Sequence, residues 1–270
     1  MDFPFAVELA NTSGWDMANV DFEYMSTLEP NGCFVLWQGR KRTGMATCIS
    51  YGKVGWFGNL AVKSEFRRKG AGKFLVEHAI DYLRKKGVKC VGLYAYQHLS
   101  GFYERIGFKA LDDFIVLKGI LHGTAPERKE LANAGKDVAK LAEFDTDCLG
   151  WQRERLLRSM LREEGNLSYI SSINDSVQGF VMAKVYGEMA EVGPLISRCG
   201  QESVALRLAR TVLAELNGLE VYAYAPSSEK LLLDVFLDAG LKEKFRVTRM
   251  FLGSATAESC VYMPESLERG

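Results

Sequence analysis

The chain has 270 residues, which is long for one small module and suggests two domains at roughly 100 to 200 residues each. Hydrophobic residues make up 47% and charged residues 25%, a balance that excludes an intrinsically disordered chain. The 34 Lys and Arg residues match the 34 Asp and Glu residues, so no global field favours nucleic acid or an anionic membrane as a partner.

The six cysteines are scattered and form no C-x-x-C pair, which argues against both a zinc knuckle and a disulfide framework. The sequence therefore predicts free thiols and no metal site. Apolar residues never run for 18 or more positions, and the first ten residues lack the basic flank and long apolar stretch of a signal peptide. We expect a cytoplasmic protein with no membrane partner.

The apolar pattern of the first half predicts alternating strands and helices in chain order. The predicted elements are strands at 33–38, 44–51 and 54–62, a helix at 73–86, a strand at 88–96, a short helix at 101–106 and a strand at 114–117. The longer helix is amphipathic, with Leu75, Ala79, Tyr82 and Leu83 on one face and Gly87 as its stop. This order predicts an α/β fold with a mixed sheet.

The chain also resembles itself. A shift of 135 positions, without a gap, superimposes 31–60 on 166–195, and a shift of 133 brings 102–108 onto 235–241. Chance identity among common residues is the alternative, but a duplicated α/β module explains the shared strand pattern as well. We therefore predict a first domain at 1–118, a polar linker at 119–135 and a second domain at 136–270.

A basic, glycine-containing segment, K-S-E-F-R-R-K-G-A-G at 63–72, joins the third predicted strand to the long helix. Free N–H groups of the first helical turn, the helix dipole and close backbone approach at glycine together favour phosphate. The segment is not a P-loop, because Arg67 stands where glycine is required and Phe74 where Ser or Thr is required. It is not a dinucleotide fingerprint either, because Leu75 replaces the last glycine.

The hexapeptide Arg67–Gly72 does fit the pattern [QR]-x-x-G-x-[GA], after a strand that ends in Leu60-Ala61-Val62. The segment F-Y-E-R-I-G-F at 102–108 follows at the right distance and resembles an L-Y-E-K-L-G-F motif. With these motifs, residues 5–118 resemble the GCN5-related N-acetyltransferases, and the whole chain resembles a subfamily with a second, degenerate domain of this kind. The resemblance implies two tandem domains, each a mixed, mostly antiparallel twisted sheet flanked by helices.

The resemblance implies acetyl-CoA as cosubstrate and assigns residues to it. The pyrophosphate would lie on the backbone amides of Arg68, Lys69, Gly70, Ala71, Gly72 and Lys73. The backbone of Leu60 and Val62 would pair with the pantetheine arm, and the Val62 N–H is the expected oxyanion donor. Side chains of Arg67, Arg68 and Lys69 would supply charge, although a basic tripeptide beside turn glycines is also typical of a solvated surface.

Tyr103 occupies the family's general-acid position. A phenol, with a pKa near 10, keeps its proton until a thiolate of pKa near 8.5 leaves; an idle packing role is the alternative. A base is also needed, because removing the proton of an alkylamine of pKa about 10.4 at pH 7 costs on the order of 4 to 5 kcal/mol. Which residue acts as this base is less evident. Many relatives carry Glu six residues before the counterpart of Val62, where this chain has Trp56, and often Asn where it has Tyr96. His98 is the candidate base, against a merely structural role.

The second repeat lacks these groups. Its counterparts of Arg67, Gly70, Gly72 and Tyr103 are Glu202, Ala205, Arg207 and Phe236, so we expect it to bind no CoA and to shape the acceptor pocket. The leading hypothesis is an N-acetyltransferase that moves the acetyl group of acetyl-CoA directly to an amine in a ternary complex, and we expect the acceptor to be a small molecule. The alternative is a non-catalytic acetyl-CoA sensor or scaffold. Nucleic-acid binding is disfavoured because no aromatic residues interleave the basic loop.

Overall fold

A computed structural model of the chain describes residues 2–122, 131–133, 138–254 and 260–270. These residues form helices α1 (Phe3–Asn11), α2 (Asn19–Leu28), α3 (Ala71–Lys85), α4 (Ser100–Glu104), α5 (Val138–Leu149), α6 (Glu154–Arg162), α7 (Glu202–Glu215) and α8 (Lys230–Asp238). They also form strands β1 (Cys33–Gln38), β2 (Lys41–Tyr51), β3 (Val54–Val62), β4 (Cys90–Tyr96), β5 (Lys109–Ile120), β6 (Ala132–Asn133), β7 (Leu167–Ile173), β8 (Ser176–Tyr186), β9 (Met189–Arg198), β10 (Glu220–Pro226), β11 (Lys242–Leu252) and β12 (Cys260–Met263).

The predicted α/β order of the first repeat is confirmed, with shifted boundaries. Strand β3 has the predicted bounds, whereas α3 begins at Ala71, two residues early, because Gly70 adopts a left-handed φ of 87° and serves as its N-cap. Two helices at the start of the chain were missed. The first, α1, is capped by the Asp2 side chain, which accepts a hydrogen bond from the Phe5 N–H at 3.2 Å.

The duplication is visible in the elements themselves. A shift of 135 carries the bounds of β2 onto those of β8, and a shift of 133 carries the start of β5 at Lys109 onto the start of β11 at Lys242. Within each repeat, the sheet is antiparallel except for one parallel pair, β3 with β4 in the first and β9 with β10 in the second. The tandem α/β architecture is therefore established.

The described strands of both repeats join one sheet through an exchange of strands. Its order is β1-β2-β3-β4-β11-β5-β10-β9-β8-β7-β6, with β12 on β9. Strand β11 of the second repeat lies between β4 and β5 of the first, and β5 lies between β11 and β10. Each repeat thus completes its sheet with a strand of the other, β11 in the first and β5 in the second, so the repeats are structurally interdependent.

This exchange also changes the start of the linker predicted at 119–135. Gly119 and Ile120 belong to β5, where they pair with Val221 and Glu220 of β10. Strand pairing over a long sequence distance thus extends β5 beyond the apolar run that predicted it. Residues 132–133 form β6 against β7, and 123–130 and 134–137 lie outside the described residues.

A buried segment at 264–270 connects the two repeats after β12. The Tyr51 hydroxyl donates to the Arg269 carbonyl at 2.7 Å, and the Trp56 indole N–H donates to the Leu267 carbonyl at 3.0 Å. Arg153, itself paired with Asp145 in an ion pair whose side chains are both 0% exposed, donates to the Gly270 carbonyl at 2.9 Å. This segment of the second repeat therefore contacts β2 and β3 of the first repeat.

Glu265 makes this segment sensitive to acid. Its side chain is fully buried between Arg269, at 2.7 Å, and Lys184. Burial disfavours the charged form, but the two cations outweigh it and lower the pKa of Glu265 from 4.5 to about 2. A lowered folded-state pKa gives stability that is present above the unfolded pKa and is lost as the pH falls through the folded pKa.

We expect the free energy of unfolding to fall between pH 4.5 and about 2, with about 3 kcal/mol of the loss due to Glu265. Urea unfolding of the wild type and of Glu265→Gln across this range measures the difference. The variant should be less stable at neutral pH, because it leaves Lys184 and Arg269 short of a counter-charge, and should lose less stability on acidification. Equal pH dependence in the two proteins would contradict this account.

None of the helices in the described part of the chain combines the length and the apolar character that crossing a membrane requires.

Candidate active site

A gap opens in the sheet of the first repeat between β3 and β4. Their parallel pairing covers three residue pairs, the last being Trp56 with Gly92. Over the described residues, no pairing between the two strands is recorded beyond this point, so the rest of β3 offers backbone groups along a free edge. Such an edge can accept an extended ligand as an additional strand.

A β-bulge shapes this free edge. Met45 lies opposite Ala61 and Thr47 lies opposite Gly58, so β3 contains one extra residue in this interval. Asn59, inside the bulge, has a positive φ of 50°. The bulge re-aims the backbone of β3 at Leu60, within the stretch predicted to contact pantetheine.

The backbone groups of Val62 point into the gap. The Lys63 N–H donates to the Thr43 carbonyl of β2 at 2.9 Å. Because successive residues of a strand direct their N–H and C=O groups to opposite edges, those of Val62 face away from β2. The Val62 carbonyl accepts a hydrogen bond from Arg67 Nε at 2.8 Å, which ties the basic loop to this edge.

The basic loop ends in a candidate anion site, called the cradle below, at the start of α3. Phe74 is the first amide bonded within the helix, to the Gly70 carbonyl at 2.9 Å, which leaves the N–H groups of Ala71, Gly72 and Lys73 without an intrahelical partner. A Cβ atom built at Gly70 meets nothing within 4 Å. The amides of Ala71, Gly72 and Lys73 are therefore grouped at one helix end, with open space beside Gly70.

Side chains around the cradle are mostly cationic. The stretch 63–73 contains five Lys or Arg residues and one Glu. Arg68 and Lys69 are exposed, and the Lys69 ammonium donates to the Glu65 carbonyl at 2.8 Å. Arg68 adopts a left-handed φ of 61°, which turns the loop into the helix. This local positive charge favours an anion despite the neutral chain.

Tyr103 lies on α4, on the same side of the sheet as α3. It is 7% exposed and belongs to the apolar cluster that contains Val62 and Ala95. Its ring packs against Phe108, with 5.9 Å between the ring centres. Burial raises the pKa of Tyr103, so its hydroxyl stays protonated at neutral pH, and no hydrogen bond to that hydroxyl is recorded within the described residues.

His98 and Tyr96 lie on the opposite side of the sheet, at the end of β4. Tyr96 packs against the apolar cluster around Trp56, and the exposed His98 ring stacks on it at 5.8 Å. Burial raises the pKa of Tyr96, and a hydrogen-bond interaction with the Trp15 side chain opposes that rise. Phe245 completes this aromatic rim, 5.1 Å from Tyr96. The structure thus separates the two predicted catalytic residues to opposite faces.

Trp56, which stands where relatives carry a carboxylate, is part of the core. It is 0% exposed and packs against Trp151, with 5.4 Å between the ring centres. Its indole N–H holds the 264–270 segment through the Leu267 carbonyl. No proton-accepting side chain is therefore supplied from position 56.

The matching gap of the second repeat contains a strand of the chain itself. After the parallel pairs of β9 with β10, β12 pairs antiparallel with β9 over residues 195–198. At the 135-residue shift, these are the counterparts of residues 60–63, the stretch predicted to bind pantetheine in the first repeat. Strand β12 gives a physical reason, beyond the missing glycines, to expect no CoA in the second repeat.

Sequence reasoning missed both β12 and the 264–270 segment. A signal for them exists in the repeat itself. The 133-residue shift carries the end of β5 to position 253. Strand β12 and the 264–270 segment therefore lie beyond the last strand that the two repeats share. Such an unmatched extension indicates a structural role that is specific to the second repeat.

Two family models match the chain. The acetyltransferase (GNAT) family matches residues 6–108, and an acetyltransferase (GNAT) domain matches residues 141–261. The chain belongs to the GNAT acetyltransferase family and carries two such domains in tandem. Membership assigns acyl transfer as its general chemistry.

Two similar proteins are each named "putative acetyltransferase". One, from Pyrococcus horikoshii, has a crystal structure that matches with a TM-score of 0.82 at 20% identity, covering 100% of this chain and 92% of that one. The other, from Bacillus subtilis, is 25% identical over 79 residues, which are 29% of this chain and 54% of that protein. A GCN5-related N-acetyltransferase structure from Sphaerobacter thermophilus matches with a TM-score of 0.63 at 16% identity, covering 93% and 91% of the two chains. At these identities, the structural matches establish the fold.

Proposed function

We propose that the protein is an acetyl-CoA-dependent N-acetyltransferase that transfers the acetyl group directly to an amine in a ternary complex. The observation that carries this proposal is the open gap between β3 and β4, which leads to the cationic anion cradle at the start of α3. In this proposal, Leu60 and Val62 bind pantetheine through their backbone. The amides of Gly70, Ala71, Gly72 and Lys73 bind the pyrophosphate, with charge from Arg67, Arg68 and Lys69.

The chemistry follows from the groups around the gap. The amine attacks the thioester carbonyl, and the Val62 N–H, directed into the gap, stabilises the oxyanion. Tyr103, buried and protonated, gives its proton to the departing thiolate. The aromatic rim of Trp15, Tyr96, His98 and Phe245 lies on the other face, from which we propose that the acceptor enters.

Buried thiols support direct attack by the amine. The first repeat contains three cysteines, Cys33, Cys48 and Cys90, and none of them is in a disulfide. Burial raises the pKa of Cys33 and of Cys90 to about 11 and raises that of Cys48 as well. Thiolate, the nucleophilic form, is therefore disfavoured at all three positions, and a covalent acetyl-enzyme is not required.

We propose a small amine-bearing molecule as the acceptor. The 264–270 segment contacts β3 on the face opposite α3, and a Cβ atom built at Gly58 would lie 2.6 Å from the Cα of Glu268. This segment covers β3 at the level of the bulge, which disfavours docking of a folded protein surface there.

The test is release of CoA thiol from acetyl-CoA in the presence of primary amines, with mass spectrometry of the acceptor. We expect equal amounts of thiol and N-acetylated product, and loss of both in Gly70→Glu. Trp56 motivates one alternative, a non-catalytic acetyl-CoA sensor, because the family carboxylate is missing there. A sensor would bind acetyl-CoA and release no thiol with spermidine, tyramine or N-α-acetyl-lysine amide.

A further inference from the structure

We propose that Glu268, on the 264–270 segment, is the catalytic base that accepts a proton from the acceptor amine. This inference rests on the proposed acetyl transfer. In this proposal, the second repeat provides the carboxylate that relatives carry at the position of Trp56. Its 264–270 segment reaches β3 of the first repeat.

Position is the first support. A Cβ atom built at Gly58 would lie 2.6 Å from both the Cα and the Cβ of Glu268, so the glycine allows Glu268 to pack directly on β3. Gly58 immediately precedes the bulge residue Asn59. Glu268 therefore lies beside the part of β3 that borders the proposed acetyl site.

The face of the sheet is the second support. Phe57 and Val62 pack in the cluster that contains α3, whereas Trp56 belongs to the cluster on the other face. Since side chains alternate along a strand, Gly58 faces the same side as Trp56. Glu268 thus approaches from the acceptor side, two residues from the position where relatives carry their glutamate.

Accessibility is the third support. The Glu268 side chain is 20% exposed, whereas those of Glu265 and Arg269 in the same segment are 0% and 2% exposed. Its recorded ion pair joins Oε1 to Arg269 Nη1 at 2.9 Å. By contrast, Glu191 is held by both Lys184 and the Tyr224 hydroxyl, each at 2.6 Å. The Glu191 side chain is 22% exposed, but both of its oxygens are engaged by these partners. Among the described residues, the recorded ion pair of Glu268 uses Oε1 alone, so Glu268 is the carboxylate of this cluster that has an oxygen available for an incoming amine.

The charged surroundings suit a base. Burial raises the pKa of Glu268, and the negative charges of Glu191 and Glu265 act in the same direction, against the cations Arg269 and Lys184. The groups that interact with it are Arg269 and Glu265 of its own segment, Lys184 of β8, Glu191 of β9 and Tyr224 of β10. A raised pKa makes the carboxylate a better proton acceptor at neutral pH.

The proton balance closes with two groups of the chain. Glu268 takes one proton from the ammonium form of the acceptor and later releases it to solvent. The neutral amine forms the C–N bond, and the C–S bond breaks. Tyr103 protonates the thiolate and regains a proton from the nitrogen through water, so one proton is released for each amide formed.

Glu268→Gln keeps the shape of the side chain and removes the base. At pH 7 we expect kcat/KM for the amine to fall about 100-fold, with the affinity for acetyl-CoA unchanged. The deficit should shrink as the pH approaches about 10, where the amine loses its proton in solution. Glu268→Asp should recover part of the rate, and Glu215→Gln, at an exposed position of α7, should match the wild type. A structural role predicts a deficit that does not change with pH, and that result, or wild-type kinetics, would overturn the proposal.

A second measurement needs no acceptor. Bromoacetyl-CoA places an alkylating carbon at the acetyl position, where a carboxylate oxygen displaces bromide and forms an ester. We expect peptide mass spectrometry to find this ester on Glu268, suppressed by acetyl-CoA. If none of the tested amines is acetylated, this experiment decides. Binding of acetyl-CoA without labelling of Glu268 would overturn the inference alone, whereas failure to bind acetyl-CoA would overturn the proposed function.

Discussion

Replacing Gly70 with Glu is expected to weaken acetyl-CoA binding by roughly 100- to 1,000-fold. The substitution places a carboxylate at the N-terminal end of α3, beside the amides of Ala71, Gly72 and Lys73. A charge-assisted hydrogen bond contributes about 1.5 to 3 kcal/mol, and loss of one or two of them corresponds to this range. Isothermal titration calorimetry with acetyl-CoA measures the change.

Gly70→Gln is the matched control. Gln and Glu share their size and the cost of a left-handed φ, about 1 to 2 kcal/mol for a residue other than glycine. A side chain fits at this position because a Cβ atom meets nothing within 4 Å, so both variants should fold. Equal affinity of the Glu and Gln variants would show that the cradle binds no pyrophosphate.

Tyr103→Phe is expected to lower kcat on the order of 1,000-fold while the affinity for acetyl-CoA stays unchanged. General acid catalysis contributes about 10²- to 10⁴-fold, and a phenyl ring cannot protonate the thiolate. Because no hydrogen bond to the Tyr103 hydroxyl is recorded among the described residues, its removal should leave stability unaffected. Thiol release and thermal unfolding, measured on the same preparation, separate these effects.

Tyr222→Phe provides the comparison for a hydroxyl removed from the second repeat, where the Tyr222 ring lies under the Lys118 ammonium at 4.7 Å. It should turn over at the wild-type rate. Wild-type turnover by Tyr103→Phe would assign the phenol a packing role. An increase of KM for acetyl-CoA at unchanged kcat would have the same meaning, because it reports binding that is equal in the ground and transition states.

The hydrophobic pattern of the sequence predicted the strands and helices that depend on neighbouring residues, such as β3 and α3. The mainly apolar run at 54–62 is bounded by Gly52-Lys53 and by the basic loop, and β3 has those bounds. The amphipathic helix was also found, with Leu75, Ala79 and Leu83 buried. The bounds missed at its start depend on a backbone conformation at Gly70, which the hydrophobic pattern does not contain.

Long-range pairing was beyond such reasoning. The exchange of β5 and β11 joins residues that are more than a hundred positions apart, and the apolar pattern of β11 is the same whichever strand it pairs with. The 264–270 segment, P-E-S-L-E-R-G, has the composition of a surface loop. It is buried because Glu265 and Arg269 pair with each other and with Lys184, a compensation that the sequence alone does not reveal.

The candidate site also combines residues that are close in sequence, which could be predicted, with residues that are distant in sequence, which could not. The loop residues and the end of β3 are contiguous in sequence, so their proximity followed from the strand-loop-helix order. His98 was the candidate base because it neighbours the Tyr103 helix in sequence. The structure leaves it exposed on the aromatic rim and brings Glu268 to β3 from 210 positions away. His98 stays a prediction that its own substitution can test.

The two repeats have different roles in this account. The first keeps an open gap, and the second closes its own gap with β12 and continues into the 264–270 segment. Closure of the second gap and contact with the neighbouring repeat are thus two consequences of one extension. Under the proposed function, this connection makes the second repeat necessary for activity.

Calorimetric titration of the wild-type chain with acetyl-CoA, with ATP and NAD as comparisons, decides whether the first repeat holds the cofactor site. We predict one acetyl-CoA site per chain and much weaker binding of the two other nucleotides. Two sites per chain would contradict the expectation that β12 keeps CoA out of the second gap. Absence of acetyl-CoA binding would contradict the proposed function as a whole.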